Sequence, residues 1–162
     1  MKKLFVLLFC AFSVQAEEME VVGNVASKCV ITQDVQGVYG NPTPDELDSD
    51  PTSGGVDPVV RYDVIQANYY KAKITHPNSF SESPSLTDTV TWTGDTATSQ
   101  VSDTGMSGYD AAKVEYDNIT EFNLTVAGST WFKTETKAEY GYGKAFPAGV
   151  YRAVVSAECI AI

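Results

Sequence analysis

Apolar and polar residues alternate along the last stretch of the chain, residues 146–162 (FPAGVYRAVVSAECIAI). Pro147 and Gly149 predict a corner at its start, because Pro restricts φ and Gly accepts backbone angles that other residues avoid. After the corner, one parity carries Tyr151, Ala153, Val155, Ala157 and Cys159, and the other, more polar, carries Val150, Arg152, Val154, Ser156 and Glu158. A period of two is typical of a β-strand with one face toward a core.

The same alternation starts near the other end of the chain. One parity there carries Met19, Val21, Gly23, Val25, Ser27, Cys29 and Ile31. Cys29 and Cys159 therefore both fall on the inward parity of a terminal strand. This agreement predicts that the first and last strands are neighbours in space.

Further β-favouring stretches lie between these ends, separated by turn residues. They span residues 59–65, 69–75, 89–93, 122–127, 130–133 and 136–142. Short strands at this spacing, without an amphipathic helix, predict an all-β fold. We expect an immunoglobulin-like β-sandwich of about seven to eight antiparallel strands, with adjacent, disulfide-linked terminal strands.

The first sixteen residues have the pattern of a signal peptide. Lys2 and Lys3 precede an apolar run at 4–12, and small residues end at Ala16, which predicts cleavage before Glu17. The alternative, a membrane anchor, needs a longer apolar run. We therefore predict a signal peptide at 1–16, a single domain at 17–162 and no membrane insertion after cleavage. Cys10 would leave with the signal peptide.

Charge and cysteine content indicate which partners and which cellular compartment to expect for the protein. The formal net charge is −10, which repels nucleic-acid phosphates and anionic membranes, so no nucleic-acid partner is expected. Cleavage leaves two of the three cysteines, Cys29 and Cys159, and an even pair in an exported protein predicts a disulfide. We expect secretion to the periplasm or to a cell or particle surface.

No catalytic, cofactor or metal motif stands out. The single histidine, His76, precedes Pro77 at a predicted strand end, an ordinary loop position. No G-x-S-x-G motif and no phosphate-binding Gly loop occur, and three Cys and His residues are too few for a structural zinc site. We predict no enzyme activity and no cofactor. A glycosidase with its carboxylate pair among the many acidic residues is the enzymatic alternative.

Two further clusters each have two interpretations. The Pro- and Gly-rich passage at 36–58 contains Asp45, Glu46, Asp48, Asp50 and Asp57. These could ligate calcium, but their spacing fits no EF-hand, so we favour a solvated acidic loop. Tyr69, Tyr70, Tyr140 and Tyr142 could line a sugar-binding face, although packing at strand edges is the interpretation we favour.

Several short motifs together resemble the spore-coat-U and chaperone–usher pilin group of secreted bacterial subunits. They are Cys29-Val30, Gly37-Val38-Tyr39-Gly40, Thr130-Trp131-Phe132 and the closing run Pro147-Ala148-Gly149-Val150-Tyr151. The resemblance implies an incomplete immunoglobulin-like sandwich that a strand of the next subunit completes. It also implies like subunits, or a periplasmic chaperone, as partners.

By this resemblance, residues 17–28 would be the donated strand, with Met19, Val21, Gly23 and Val25 on the inserted face. Alternatively, this segment completes its own domain. The runs GNVASKCVI, GVYGNPTPD, AGSTWF and AECIA are also similar, more loosely, to exported proteins of marine tailed phages. We expect a non-enzymatic structural or adhesive subunit. The alternative is a self-contained binding module for a glycan or a protein.

Overall fold

The computed structural model describes residues 20–23 and 28–162. This part of the chain is built of β-strands joined by loops and three short 3₁₀ turns. The strands are β1 (Cys29–Val35), β2 (Glu46–Asp48), β3 (Val59–Val64), β4 (Tyr70–Thr75), β5 (Phe80–Glu82), β6 (Val90–Val101), β7 (Val114–Tyr116), β8 (Ile119–Asn123), β9 (Gly128–Tyr140), β10 (Arg152–Ala153) and β11 (Ser156–Ala161). The 3₁₀ turns are Pro51–Ser53, Thr104–Met106 and Asp110–Ala112.

These strands form two main antiparallel sheets and a small ribbon. Sheet 1 has the order β1-β3-β9, with β2 beside the end of β9 and β6 along its other edge. Sheet 2 has the order β11-β4-β8-β7, and β5 pairs with β10 in the ribbon. The predicted all-β antiparallel sandwich is confirmed. The described chain has eleven strands, seven of them with five or more residues, where about seven to eight strands were expected.

The core lies between the two sheets and is centred on three aromatic rings. Tyr62 and Phe132 from sheet 1 meet edge to face at 5.6 Å, and Phe132 lies 4.2 Å from Phe122 of sheet 2. All three are almost fully buried. The Tyr62 hydroxyl donates toward the carbonyl oxygens of Lys73 and Glu158, at 3.3 and 3.1 Å. Phe132 thus joins the sheets through its ring, and Tyr62 joins them through its hydroxyl group.

The disulfide predicted between Cys29 and Cys159 is present, with the Cα atoms 6.4 Å apart. It links β1, at one edge of sheet 1, to β11, at one edge of sheet 2. The terminal strands are neighbours as expected, but they face each other across the sandwich. Each hydrogen-bonds to another strand, β1 to β3 and β11 to β4.

Some strand boundaries differ from the predictions. A strand was expected to open at residues 130–133, with 136–142 leading to the final corner. β9 instead continues as one strand of 13 residues, because its inward threonines alternate as regularly as its apolar residues. The expected single strand after Gly149 is instead divided into β10 and β11. The division occurs because β10 pairs with β5 and β11 pairs with β4.

Within the described residues, no helix is long and apolar enough to cross a membrane.

Candidate functional site

A groove of about 750 Å³ lies between the sheets on the side where β1 and β11 form the edges. Its wall on sheet 1 includes Ile31, Gln33, Leu47, Val60, Thr134 and Thr136. The opposite wall is the C-terminal segment, which presents Tyr151, Ala153, Val155 and Ala157. These four are the inward parity that the sequence predicted, and each is only partly buried.

The groove exists because the two sheets differ in length. At about 3.3 Å per residue, the 13 residues of β9 extend over about 43 Å, whereas the six residues of β4 cover about 20 Å. Beyond the end of sheet 2, the ribbon and the C-terminal corner cover sheet 1 only in part. The inner face of sheet 1 is left open there.

Apolar side chains and hydroxyl groups dominate the chemistry of this groove. Thr136 Oγ1 donates to the Tyr39 hydroxyl at 3.1 Å, and burial raises the pKa of Tyr39, which keeps this phenol neutral. Arg152 lies at the rim and pairs with Glu82 at 2.7 Å, both well exposed. A groove of this character suits an extended, alternately apolar peptide or a small apolar molecule.

The strand edges beside the groove have unused hydrogen-bonding capacity. Among the described strands, β1 has β3 as its only neighbour in the sheet and β11 has only β4. An unpaired edge presents backbone N–H and C=O groups to an incoming strand. The groove is therefore bordered by two edges that an added strand could extend.

The described part of the predicted donor segment is exposed. Val21 and Val22 are 95% and 82% accessible, and residues 20–23 form no strand. Met19 and Val25, also assigned to the inserted face, lie outside the described residues. Lys28 N–H donates to the Tyr70 hydroxyl, and the Lys28 carbonyl accepts from Ile65 N–H. The chain therefore enters β1 from the disulfide end, beyond the groove.

The four tyrosines proposed as a sugar-binding face do not lie together. Tyr70 is at the start of β4, where its hydroxyl accepts from Lys28, and Tyr69 beside it is half exposed. Tyr140 is buried at the far end of β9 against Phe146, and Tyr142 is fully exposed. Tyr69 and Tyr70 lie at one end of the molecule, and Tyr140 and Tyr142 lie at the other. β9 ends at Tyr140 and starts near Leu124, whose backbone N–H donates to the Tyr70 carbonyl.

The acidic loop that was predicted to be solvated is only partly so, because Asp45, Glu46 and Asp50 are partly exposed whereas Asp48 and Asp57 are buried. Asp48 and Asp57 are 6% and 4% exposed. The Asp48 carboxylate accepts from Asp50 N–H and from the Ser53 hydroxyl, and that of Asp57 accepts from the Ser49 hydroxyl. Hydrogen-bond donors from the loop itself replace the water that these carboxylates lose on burial. These bonds offset the free-energy cost of burying the two charges. No group of three or more described His, Cys, Asp or Glu residues could hold a metal ion.

His76 was expected at an ordinary loop position, but it is buried at the junction of four strands. Its Nε2 lies 2.9 Å from Thr96 Oγ1 and 3.4 Å from Thr120 Oγ1, and Thr96 in turn contacts Thr134 at 3.0 Å. Burial lowers the pKa of His76, while Asp95 and Glu115 oppose this shift. The imidazole is thus a neutral link between β4, β6, β8 and β9.

Comparison with known proteins gives no relative from which a role could be transferred. No family model matches the chain, and no curated protein or solved structure does so either.

Sequence reasoning missed the groove and the partners of His76 and Asp57. The alternating parity at 151–159 did identify one wall of the groove. No local signal could show that the facing sheet would be longer, because that depends on which strands pair.

Proposed function

We propose that this protein is a secreted, non-enzymatic structural subunit of the pilin-like type, assembled by strand exchange. The occupant of the groove would be residues 17–28 of a second copy of the chain. The observation that carries this proposal is an open groove with apolar walls in a chain whose segment 17–28 is alternately apolar and whose described residues 20–23 are exposed.

The direction of β1 favours insertion of residues 17–28 into the groove of a second copy over insertion into the groove of the same chain. The groove follows β1 from Ile31 onward, whereas the segment joins β1 at Cys29, on the far side of the disulfide. To occupy its own groove, the segment would have to reverse direction within a few residues. A segment from another subunit meets no such restriction and can extend either open edge.

Assembly can be tested on the chain that starts at Glu17, produced in an oxidising compartment. We expect concentration-dependent oligomers in analytical ultracentrifugation. Deletion of residues 17–28 should give a monomer that binds a synthetic peptide of that sequence. A chain that stays monomeric, with a groove that does not bind the peptide, would contradict the proposal.

Val21 and Val22 provide a matched pair of variants, since both are exposed and of opposite parity. Val21→Glu should weaken assembly by at least about tenfold, because an unpaired carboxylate in an apolar groove costs about 1–3 kcal/mol or more. Val22→Glu would point away from the groove and should assemble almost normally. Equal effects of the two changes would exclude a defined inserted face.

A self-contained binding module is the second candidate function. The groove volume of about 750 Å³ lies within the range of about 300–1,000 Å³ typical of small-molecule sites. Under this alternative, the chain lacking residues 17–28 would bind a fluorescent apolar probe that the peptide fails to displace. Displacement by the peptide would instead support strand exchange.

A further inference from the structure

The contact between Asp57 and Lys133 on the outer face of sheet 1 differs from the other ion pairs of the described chain. Lys133 of β9 is paired with Val59 of β3, and the ladder continues through Thr134 N–H, which donates to the Pro58 carbonyl. Asp57 lies two residues before Val59. The Asp57 side chain lies on the same face as that of Lys133, which it contacts.

The Asp57 carboxyl group is buried, and only one of its two oxygens accepts a hydrogen bond. Its side chain is 2% exposed, and Oδ1 accepts from the Ser49 hydroxyl at 2.7 Å. Oδ2 has no hydrogen-bond partner and lies 3.3 Å from Lys133 Nζ. In the other described ion pairs the acidic side chain is 16–59% exposed.

A second carboxyl group stands beside this pair. Burial raises the pKa of Glu135, and the carboxylates of Asp48, Asp50 and Asp57 raise it further. Glu135 can therefore carry a proton more readily than an ordinary glutamate. It lies on β9 between Thr134, which donates to the Pro58 carbonyl, and Thr136, whose carbonyl accepts from Ser49 N–H. An amine and a carboxyl group are thus in contact, and Glu135 is near enough for the charges of both to act on its pKa.

We propose that Lys133 and Asp57 condense to an isopeptide bond, with Glu135 as the proton carrier. A proton first passes from the Lys133 ammonium to the Asp57 carboxylate, which leaves an amine and a carboxylic acid in contact. The freed Nζ attacks Asp57 Cγ, and a C–N bond forms while the C–OH bond breaks. Protonated Glu135 gives its proton to the leaving hydroxyl, which departs as water, and Glu135 takes up a proton from the amine nitrogen. One water is released, and no oxidant or other reactant is needed.

Placement of the reacting groups favours this step. Groups held in contact react with effective concentrations of about 10⁵–10⁸ M in well-oriented systems. The Asp57 carboxyl is shielded from water, so the amide that forms is also shielded from hydrolysis. The bond would be a second covalent cross-link besides the disulfide. It would join the loop before β3 to the middle of β9 in sheet 1.

The bond can be detected by mass spectrometry of the purified, reduced full chain. We expect an intact mass lower than the sequence mass by one water molecule, and a digest containing one branched peptide with Asp57 and Lys133. A mass equal to that of the sequence would overturn the proposal. Loss of water without the branched peptide would overturn it too.

Variants test the assigned roles. Lys133→Arg keeps the positive charge beside Asp57 but lacks the primary amine, so its mass should equal the sequence mass. Glu135→Gln keeps both reacting groups and should show loss or strong slowing of cross-linking. The matched controls are Lys137→Arg and Glu139→Gln, an ion pair on the same face of β9, which should cross-link like wild type.

Circular dichroism of each variant shows whether its fold is intact. A folded Glu135→Gln variant that cross-links at the wild-type rate would show that Glu135 has no part in the step.

Discussion

At the scale of single residues, the described structure differs most from expectation where polar groups are buried. His76 was predicted at an ordinary loop position at a strand end. It does follow β4, but it is 7% accessible and contacts two buried threonines. Gly94 makes this position possible, because a Cβ there would lie 2.5 Å from the imidazole Nδ1. The polar link between the sheets thus depends on the absence of a side chain in β6.

Acidification should therefore destabilise the protein through His76. The pKa of His76 in the folded state lies below its ordinary value of 6.5, so the unfolded chain binds the proton more readily. The free energy of unfolding then falls as the pH drops below about 6.5 and levels off below the folded-state pKa.

Urea unfolding at about pH 7.5 and about pH 5.5, the range in which histidine titrates, measures this loss. His76→Gln cannot titrate and should lose less stability over that range than wild type. Equal losses in the two proteins would show that other groups cause the pH dependence.

At the scale of elements, the β5–β10 ribbon and the C-terminal corner form a second, smaller core. Phe80 contacts Trp92, Tyr151 and Phe146, with ring centroids at 4.7, 5.1 and 6.0 Å. Pro84 packs against Gly149, where a Cβ would come within 2.3 Å. This aromatic cluster supports the C-terminal wall of the groove, since Tyr151 belongs to both.

Phe80→Ala should open this cluster and destabilise the protein by about 2–4 kcal/mol. This is less than the cost of about 3–5 kcal/mol for a fully buried phenylalanine, because Phe80 is only partly buried. The fluorescence of Trp92, which loses its ring contact, should change as well. Denaturant titration followed by tryptophan emission measures both effects. Tyr142→Ala, at a fully exposed position, is the control and should change stability by no more than about 0.5 kcal/mol.

At the scale of the whole molecule, the sandwich is closed at the disulfide and open beyond it. The Cys29–Cys159 bridge joins strands 130 residues apart in sequence. It holds together the edges that border the groove. A disulfide of this kind is typical of proteins from oxidising compartments.

Replacement of both cysteines by serine should cost about 4–5 kcal/mol of stability, because the bridge closes a very long loop in the unfolded chain. The midpoint of urea unfolding, measured without reductant, gives the difference. Reductant should lower the wild-type midpoint to that of the variant and leave the variant unchanged. An effect of reductant on the variant would point to a cause other than this bridge.

The alternation of side chains was enough to predict the all-β class, the inward parity of Cys29, Phe122 and Cys159, and the disulfide. These features depend on neighbours along the chain and on the scarcity of cysteine, both of which a sequence displays directly. The turn residues around Pro147 and Gly149 likewise marked the final corner.

Only the tertiary structure decided the groove, the burial of Asp57 and His76, and the separation of Tyr70 from Tyr140. Each of these depends on which strands pair and on how far one sheet extends beyond the other. Such pairings join residues far apart in sequence, and their energies come from packing and desolvation at contacts that no local pattern encodes.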